Sequence, residues 1–140
     1  MSDIKILFAA SALSVLTVVP AFAASPELVP LAENDAVNNR LVTAGIVRRI
    51  HKQCPRISFR KFRSFMYLRG IYNLAQQQGY SADVIEAYID DEEQEARLYV
   101  HVDNWLAQRG ALEGNAESYC AIGDAEMTAD SQIGNFLRTD

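Results

Sequence analysis

The sequence predicts an all-α protein: a small bundle or orthogonal array of four to five helices, closed by one disulfide and preceded by an N-terminal signal peptide. Apolar residues recur at intervals of three and four along most of the chain, which is the period of a helix. No stretch alternates apolar and polar residues for long enough to predict a strand. The chain has 2 cysteines, and its first residues follow the plan of an export signal.

The export signal is predicted over residues 1–23. Lys5 gives a positive start, a mainly apolar run of fourteen residues occupies 6–19, and Pro20 precedes two small alanines. This order is typical of a secretory leader, here cut after Ala23. The run is shorter than the about 20 apolar residues that a bilayer-spanning helix needs, so we expect no stable membrane span in the mature form. The predicted location is therefore periplasmic or secreted.

The rest of the chain is expected to form one domain. Residues 24–33 show no periodic arrangement of apolar residues and are predicted to be an unstructured lead-in. Residues 34–140 have the size of a single helical domain. Apolar residues make up 49% of the sequence and charged residues 22%, which is ordinary for a globular protein and argues against disorder.

The first two helices are the clearest. Asn34 or Asp35 can cap the first, and the helix must end near Cys54 because a following proline disfavours helical geometry there. Ser58 is expected to cap the second, and Gly79 to stop it. Each has an apolar stripe that we expect to pack inward. The stripes are Val37, Leu41, Ala44, Val47 and Ile50 in the first helix, and Phe59, Phe62, Phe65, Leu68, Tyr72 and Ala75 in the second.

Two or three further helices follow. Ser81 opens a stretch that runs to Gln108 and that the acidic run 90–95 can divide. After a turn with two glycines, Asn115 can cap another helix, and a last short turn follows Ser131. The candidate buried residues are Ile85, Tyr88, Ala96, Tyr99, Val102, Trp105, Tyr119, Cys120, Ile122, Met127, Ile133, Phe136 and Leu137.

Cys54 and Cys120 are predicted to form a disulfide, because two lone thiols in an exported protein meet an oxidising compartment. In the loop-entropy model, closing a loop of this size stabilises the folded state by about 4 kcal/mol. The bridge would connect the end of the first helix to a late helix.

Charge is divided between two halves of the chain. Residues 36–82 contain nine basic and no acidic side chains, whereas residues 83–140 contain fourteen acidic side chains and three arginines. The simplest interpretation is that acidic and basic helices lie side by side and partly neutralise one another, with Glu93 and Arg97 forming a local pair. The net charge of −5 on an exported chain argues against nucleic acid as a partner.

The functional interpretation of the basic half is a binding surface. Arg56, Arg60 and Arg63 are spaced to share one helix face, which could meet an acidic periplasmic protein or an anionic membrane surface. Tyr67 is the neighbouring aromatic candidate, and Tyr67 and Tyr80 exposed together beside the arginines would make this surface the best binding site.

The sequence contains little that suits catalysis. His51, Cys54, His101 and Cys120 match the ligand inventory of a tetrahedral zinc site, yet their spacing fits no zinc motif and a disulfide would remove both thiolates. Ser58 begins a Ser-x-x-Lys pattern without the companion motifs of penicillin-binding proteins, so helix capping explains it. We therefore predict no catalytic, metal or cofactor site.

Several short motifs resemble a known family. They are Gly79-Tyr80-Ser81, Gln108-Arg109-Gly110, Tyr119-Cys120-x-x-Gly123-x-x-Glu126 and Ile133-Gly134-x-x-Leu137-Arg138. Together they resemble a family of small secreted alphaproteobacterial proteins known only as a domain of unknown function. The resemblance covers most of the mature chain and implies a helical periplasmic protein with two cysteines; it implies no catalytic residues.

The functional expectation is a non-enzymatic periplasmic binding or accessory protein that presents a basic helix face, residues 52–69, to an acidic partner. One alternative is a small metal-binding protein or enzyme that uses His51 or His101. A second alternative is a periplasmic stress chaperone that exposes apolar helix faces on acidification.

Overall fold

A computed structural model describes residues 27–140, so the predicted signal peptide lies outside the described residues. Within them the predicted helical fold is confirmed, and none of the helices is both long and apolar enough to span a bilayer. The helices are α1 (Asp35–Gln53), α2 (Lys61–Gln77), α3 (Ala82–Ile89), α4 (Glu92–Ala107) and α5 (Ala116–Thr128). The other elements are two short strands, β1 (Ile57–Phe59) and β2 (Leu137–Thr139), and 3-10 turns at Leu31–Glu33 and Gly134–Phe136.

Side-chain caps begin four of the helices, and three of these caps are the ones that the sequence predicts. The Asn34 carboxamide oxygen accepts a hydrogen bond from Val37 N at 3.1 Å, which starts α1. Ser81 and Asn115 cap α3 and α5 through the same spacing of three residues. Each cap satisfies a backbone N–H that the helix itself leaves unpaired.

The predicted long third stretch divides at Asp91. Its carboxylate oxygen accepts hydrogen bonds from Glu93 N at 2.8 Å and Gln94 N at 3.3 Å, and so begins α4 as a separate helix. Part of the acidic run therefore begins a helix. Negative charge is favourable at this position because the N-terminus of a helix carries a partial positive charge.

Helix α1 is the centre of the fold, because α2, α4, α5 and β1 all pack against it. Its approach to α4 depends on Gly45, where an added Cβ would lie 2.6 Å from Val102 Cγ2. The main core cluster contains Ile46, Val47, Ile50, Cys54, Ile57, Val102, Leu106, Cys120, Ile122, Ile133, Phe136 and Leu137.

The predicted disulfide is confirmed within this cluster. Cys54 and Cys120 are both buried, their Cα atoms are 5.1 Å apart, and they are separated by 66 positions in sequence. The bridge joins the end of α1 covalently to α5, so it links an early and a late part of the sequence within the core.

The predicted start of the second helix at Ser58 is wrong. Residues 57–59 form β1, which pairs antiparallel with β2 so that Ser58 lies opposite Arg138, and α2 begins only at Lys61. A strand of three residues has no periodicity to detect, and its partner is distant in sequence. The sequence pattern could not indicate this pairing.

A second core cluster holds the first described residues against α2 and α3. The predicted lead-in includes the turn Leu31–Glu33, whose Leu31 is buried beside Tyr80. The carboxamide of Asn34 donates hydrogen bonds to Gln78 Oε1 at 2.7 Å and to Tyr80 Oη at 3.0 Å. The residue that caps α1 thus also connects it to the end of α2.

We expect Asn34→Ala to lower the free energy of unfolding by about 2 kcal/mol, from a lost cap and lost hydrogen bonds to Gln78 and Tyr80. Urea unfolding of the purified protein measures this. Asn39→Ala is the matched control, because Asn39 is exposed on the same helix and alanine favours the helical state. Equal stability of the two variants would contradict the connecting role of Asn34.

Candidate functional site

The apolar stripe predicted to bury the second helix faces outward over much of its length, which corrects the sequence expectation. Phe62 is 79% exposed, Phe65 60%, Leu68 48% and the neighbouring Met66 46%. Helix α2 has apolar residues on more than one side, and α1 covers the side that carries Ile71 instead. Large apolar side chains clustered in water are unusual unless they mark a contact surface.

The same part of α2 is cationic. The helix contains Lys61, Arg63 and Arg69 and no acidic residue. Among the described residues, Lys61 and Arg69 form no ion pair. We call this surface the α2 outer face; it consists of Lys61, Phe62, Phe65, Met66, Leu68 and Arg69.

Arg56, predicted to share a helix face with Arg60 and Arg63, lies in the turn between α1 and β1. Its guanidinium donates hydrogen bonds to Asp124 Oδ2 at 2.7 Å and to Glu117 Oε1 at 3.1 Å on α5. These bonds, the one to Asp124 foremost, raise the pKa of Arg56 above its ordinary value, so the group stays charged. Arg56 therefore connects β1 to α5.

Arg60 and Arg63 connect the start of α2 to the C-terminal segment. Arg60, the residue before the helix, donates from Nε to Leu137 O at 3.2 Å, and Arg63 donates to Asn135 O at 2.7 Å. The expected single face of three arginines is not formed, because β1 interrupts the helix on which that spacing depended.

Tyr67 and Tyr80, whose joint exposure beside the arginines would have made this surface the best binding candidate, are not exposed together. Tyr80 is buried, and its hydroxyl donates to Val29 O at 2.8 Å. Tyr67 is half-buried, with its ring centroid 4.8 Å from that of Phe136. Tyr67 faces the groove described next, and the residues that sequence reasoning missed on this helix are Phe62 and Phe65.

Acidic and basic helices do lie side by side, as the simpler interpretation of the charges predicts. Arg49 on α1 donates two hydrogen bonds to the Asp103 carboxylate on α4, at 2.9 and 3.0 Å. Glu93 and Arg97 form the expected pair within α4, at 2.6 Å. Such exposed pairs contribute little stability each, so their main effect is to set how the helices dock.

Next to the α2 outer face is an apolar groove of about 620 Å³. Leu41 and Ala44 of α1 form its floor, Leu68 lies on the α2 side, and Ile89 and Leu98 lie on the side of α3 and α4. The groove exists because α2 and α4 both pack on α1 but make little contact with each other. Its volume is within the range of small-molecule sites in proteins.

One end of the groove is polar. Arg48, His51 and Lys52 follow Ala44 along the same face of α1, and the Glu95 carboxylate lies 3.8 Å from Arg48. His51 Nδ1 donates to the Ile57 carbonyl at 3.0 Å, since a carbonyl can only accept. This bond fixes the orientation of the imidazole ring at the groove rim.

Two of the hydroxyl-bearing side chains in the groove wall, Tyr88 and Ser64, differ in their hydrogen bonding. Tyr88 donates to Asn38 Oδ1 at 2.6 Å, and burial raises the pKa of its phenol above the ordinary value. Ser64 Oγ is buried and has no hydrogen-bond partner within the described part of the chain. A buried hydroxyl group without a hydrogen-bond partner lowers the stability of a folded protein, so the position of the Ser64 hydroxyl needs a physical explanation.

The residues predicted as possible metal ligands do not form a cluster. Cys54 and Cys120 are bonded to each other, and His101 lies exposed on α4. Nowhere between residues 27 and 140 do three His, Cys, Asp or Glu side chains come together in a way that could hold a metal ion.

The model of a family of unknown function, DUF5333, matches residues 29–138. The chain belongs to this family. The DUF5333 match spans all five helices, both cysteines, the α2 outer face and the groove. No curated protein and no solved structure matches the chain. Membership of DUF5333 agrees with the predicted domain of unknown function and assigns no activity, so function must be argued from the surface itself.

Proposed function

We propose that the protein is a non-enzymatic periplasmic binding or accessory protein that presents the α2 outer face to an acidic partner protein. One observation carries this proposal: exposed Phe62 and Phe65 lie on a helix with three cations and no acidic residue. Burying each phenylalanine against a partner would contribute about 1.5–3 kcal/mol. Lys61 and Arg69 would steer acidic partners to the surface and reject basic ones.

A protein partner suits this surface better than an anionic membrane. Leu68 belongs both to the α2 outer face and to the wall of the groove, so the surface combines a ridge with an adjacent depression. Side chains of a protein can enter such a depression, whereas a flat bilayer would contact the ridge alone. Interfaces between proteins are typically enriched in aromatic residues and arginine in this way.

The proposed location depends on the disulfide and the leader. Stable disulfides are typical of oxidising compartments such as the bacterial periplasm. The leader-like segment over residues 1–23 and the resemblance to secreted alphaproteobacterial proteins point to the same compartment.

The contacts of each basic side chain determine which positive charges can be reversed without disturbing the fold. Arg56, Arg60 and Arg63 each hold another part of the molecule, so their replacement would disturb the fold as well as the surface. The better pair is Lys61→Glu with Arg69→Glu. The matched control is Arg97→Glu, which reverses an exposed charge on α4, a helix that does not contribute to the α2 outer face.

The test places a photo-crosslinking residue at Phe65 in the full precursor, in cells of the source species. We expect acidic proteins to be captured there, with capture reduced about ten-fold by the double reversal, reduced by salt and unaffected by Arg97→Glu. A crosslinker at Val100, which is 58% exposed on α4, controls for unspecific capture.

Equal products at Phe65 and Val100, or capture that charge reversal leaves unchanged, would contradict the proposal. Binding of the purified protein to phosphatidylglycerol vesicles without any protein capture would assign the α2 outer face to membranes instead.

The exposed apolar stripe also supports the chaperone alternative. Such a protein would hold many unfolded clients through Phe62 and Phe65, and mild acid would loosen its fold. Suppression of aggregation of unrelated test proteins, lost in Phe62→Ser with Phe65→Ser, would favour this function. For the alternative that uses His51 or His101, no group of three or more His, Cys, Asp or Glu side chains among residues 27–140 could hold a metal ion.

A further inference from the structure

We propose that the groove between α1, α2 and α4 binds a single-chain amphiphile with a carboxylate headgroup, such as a free fatty acid. This goes beyond the proposed function, which concerns the α2 outer face. The groove has a volume of about 620 Å³, and its lining is mainly apolar.

The floor of the groove changes character along its length. Leu41 and Ala44 lie at one part of α1, and Arg48 and Lys52 follow one and two turns later on the same face. An apolar chain over the first part would therefore place its headgroup beside two cations. A neutral apolar ligand would leave this arrangement unused.

The cations at this end are available to a ligand. Lys52 is exposed and forms no ion pair with any described residue. Arg48 is bound only to Glu95, at 3.8 Å, in a pair whose side chains are 70% and 54% exposed, and such pairs are weak. Glu95 itself would repel a carboxylate, which places the headgroup on the Lys52 side of the rim.

Ser64 provides an independent observation in the same groove. Its hydroxyl is a buried donor without a partner among residues 27–140, and a headgroup oxygen would supply that partner. The mixture of an apolar lining with a few polar groups at one end is the usual composition of a ligand site.

The test is calorimetric titration of the purified mature protein with decanoate, dodecanoate and tetradecanoate, below their micelle-forming concentrations. We expect affinity to rise about four-fold for each added methylene group until the groove is full. Dodecyltrimethylammonium, which has the same chain length as dodecanoate and the opposite charge, should bind at least about ten-fold more weakly.

Four single substitutions and one double variant locate the site. Lys52→Glu should weaken dodecanoate binding about ten-fold, and Arg40→Glu should leave it unchanged. Ala44→Trp should fill the floor and abolish binding, with Ile89→Asp at the exposed edge as a second variant that disturbs the fold less. The double reversal of Lys61 and Arg69 should still bind dodecanoate, so this proposal and the proposed function can fail separately.

Absence of dodecanoate binding would overturn the proposal, as would equal affinity for the cationic amphiphile. Binding that persists unchanged when the fold is intact and Ala44 or Ile89 has been replaced would place the ligand elsewhere and would also overturn it.

Discussion

Replacing both Cys54 and Cys120 with alanine is expected to lower the free energy of unfolding by about 4 kcal/mol, the largest loss we expect from any small change. The bridge spans 66 positions, and closing so long a loop removes much of the conformational freedom of the unfolded chain. Typical domains have a total stability of about 5–15 kcal/mol, so the variant would be marginal at physiological temperature.

Urea unfolding of the oxidised protein, the reduced protein and the double alanine variant measures this effect. Without the bridge the unfolded chain expands further and exposes more surface. The free energy of unfolding should therefore fall more steeply with urea concentration, and the urea midpoint of unfolding should be lower. Similar values for the reduced and alanine proteins would assign the loss to the covalent bond. A loss below about 1 kcal/mol would show that the bridge adds little to the core around α1.

Gly134→Ala is expected to cost about 3 kcal/mol, through a clash that side-chain movement cannot relieve. A Cβ at this position would overlap the Glu126 carbonyl and would lie 2.7 Å from Met127 N, both in the backbone of α5. The turn Gly134–Phe136 would have to leave α5, and the buried Phe136 and Leu137 would move with it.

Gly70→Ala is the matched control, because nothing lies within 4 Å of a Cβ at Gly70 in the exposed middle of α2. That variant should gain about 0.5–1 kcal/mol, since alanine is the better helix former. Thermal and urea unfolding of both variants measure the contrast. Equal effects of the two substitutions would contradict the close packing of Gly134 on α5.

The sequence was sufficient to predict the parts of the fold that depend on local chemistry. Asn34, Ser81 and Asn115 cap helices because a short polar side chain before an apolar repeat satisfies the first backbone donors. The pairing of Cys54 with Cys120 follows from there being only two thiols in a chain with a leader-like start.

Features that depend on distant contacts were not predictable in the same way. The β1–β2 pairing joins residues far apart in sequence. Because β1 takes the place of the predicted start of the second helix, Arg56 and Arg60 lie outside that helix and do not share a face with Arg63. The periodicity of Phe62 and Phe65 is real, but periodicity does not say which of two apolar sides of a helix is covered. Positions where a sound local prediction fails are often functional, and here they form the proposed binding surface.

The pairing of β1 with β2 also has a consequence for biogenesis. Leu137 is fully buried against a core whose other members begin at Ile46, so this core cannot close until residues near 137 are available. A chain that emerges from its N-terminus would complete this main core cluster only late, when β2 becomes available. The proposed export would benefit from such a delay, because the export machinery would then receive a polypeptide whose main core has not yet formed.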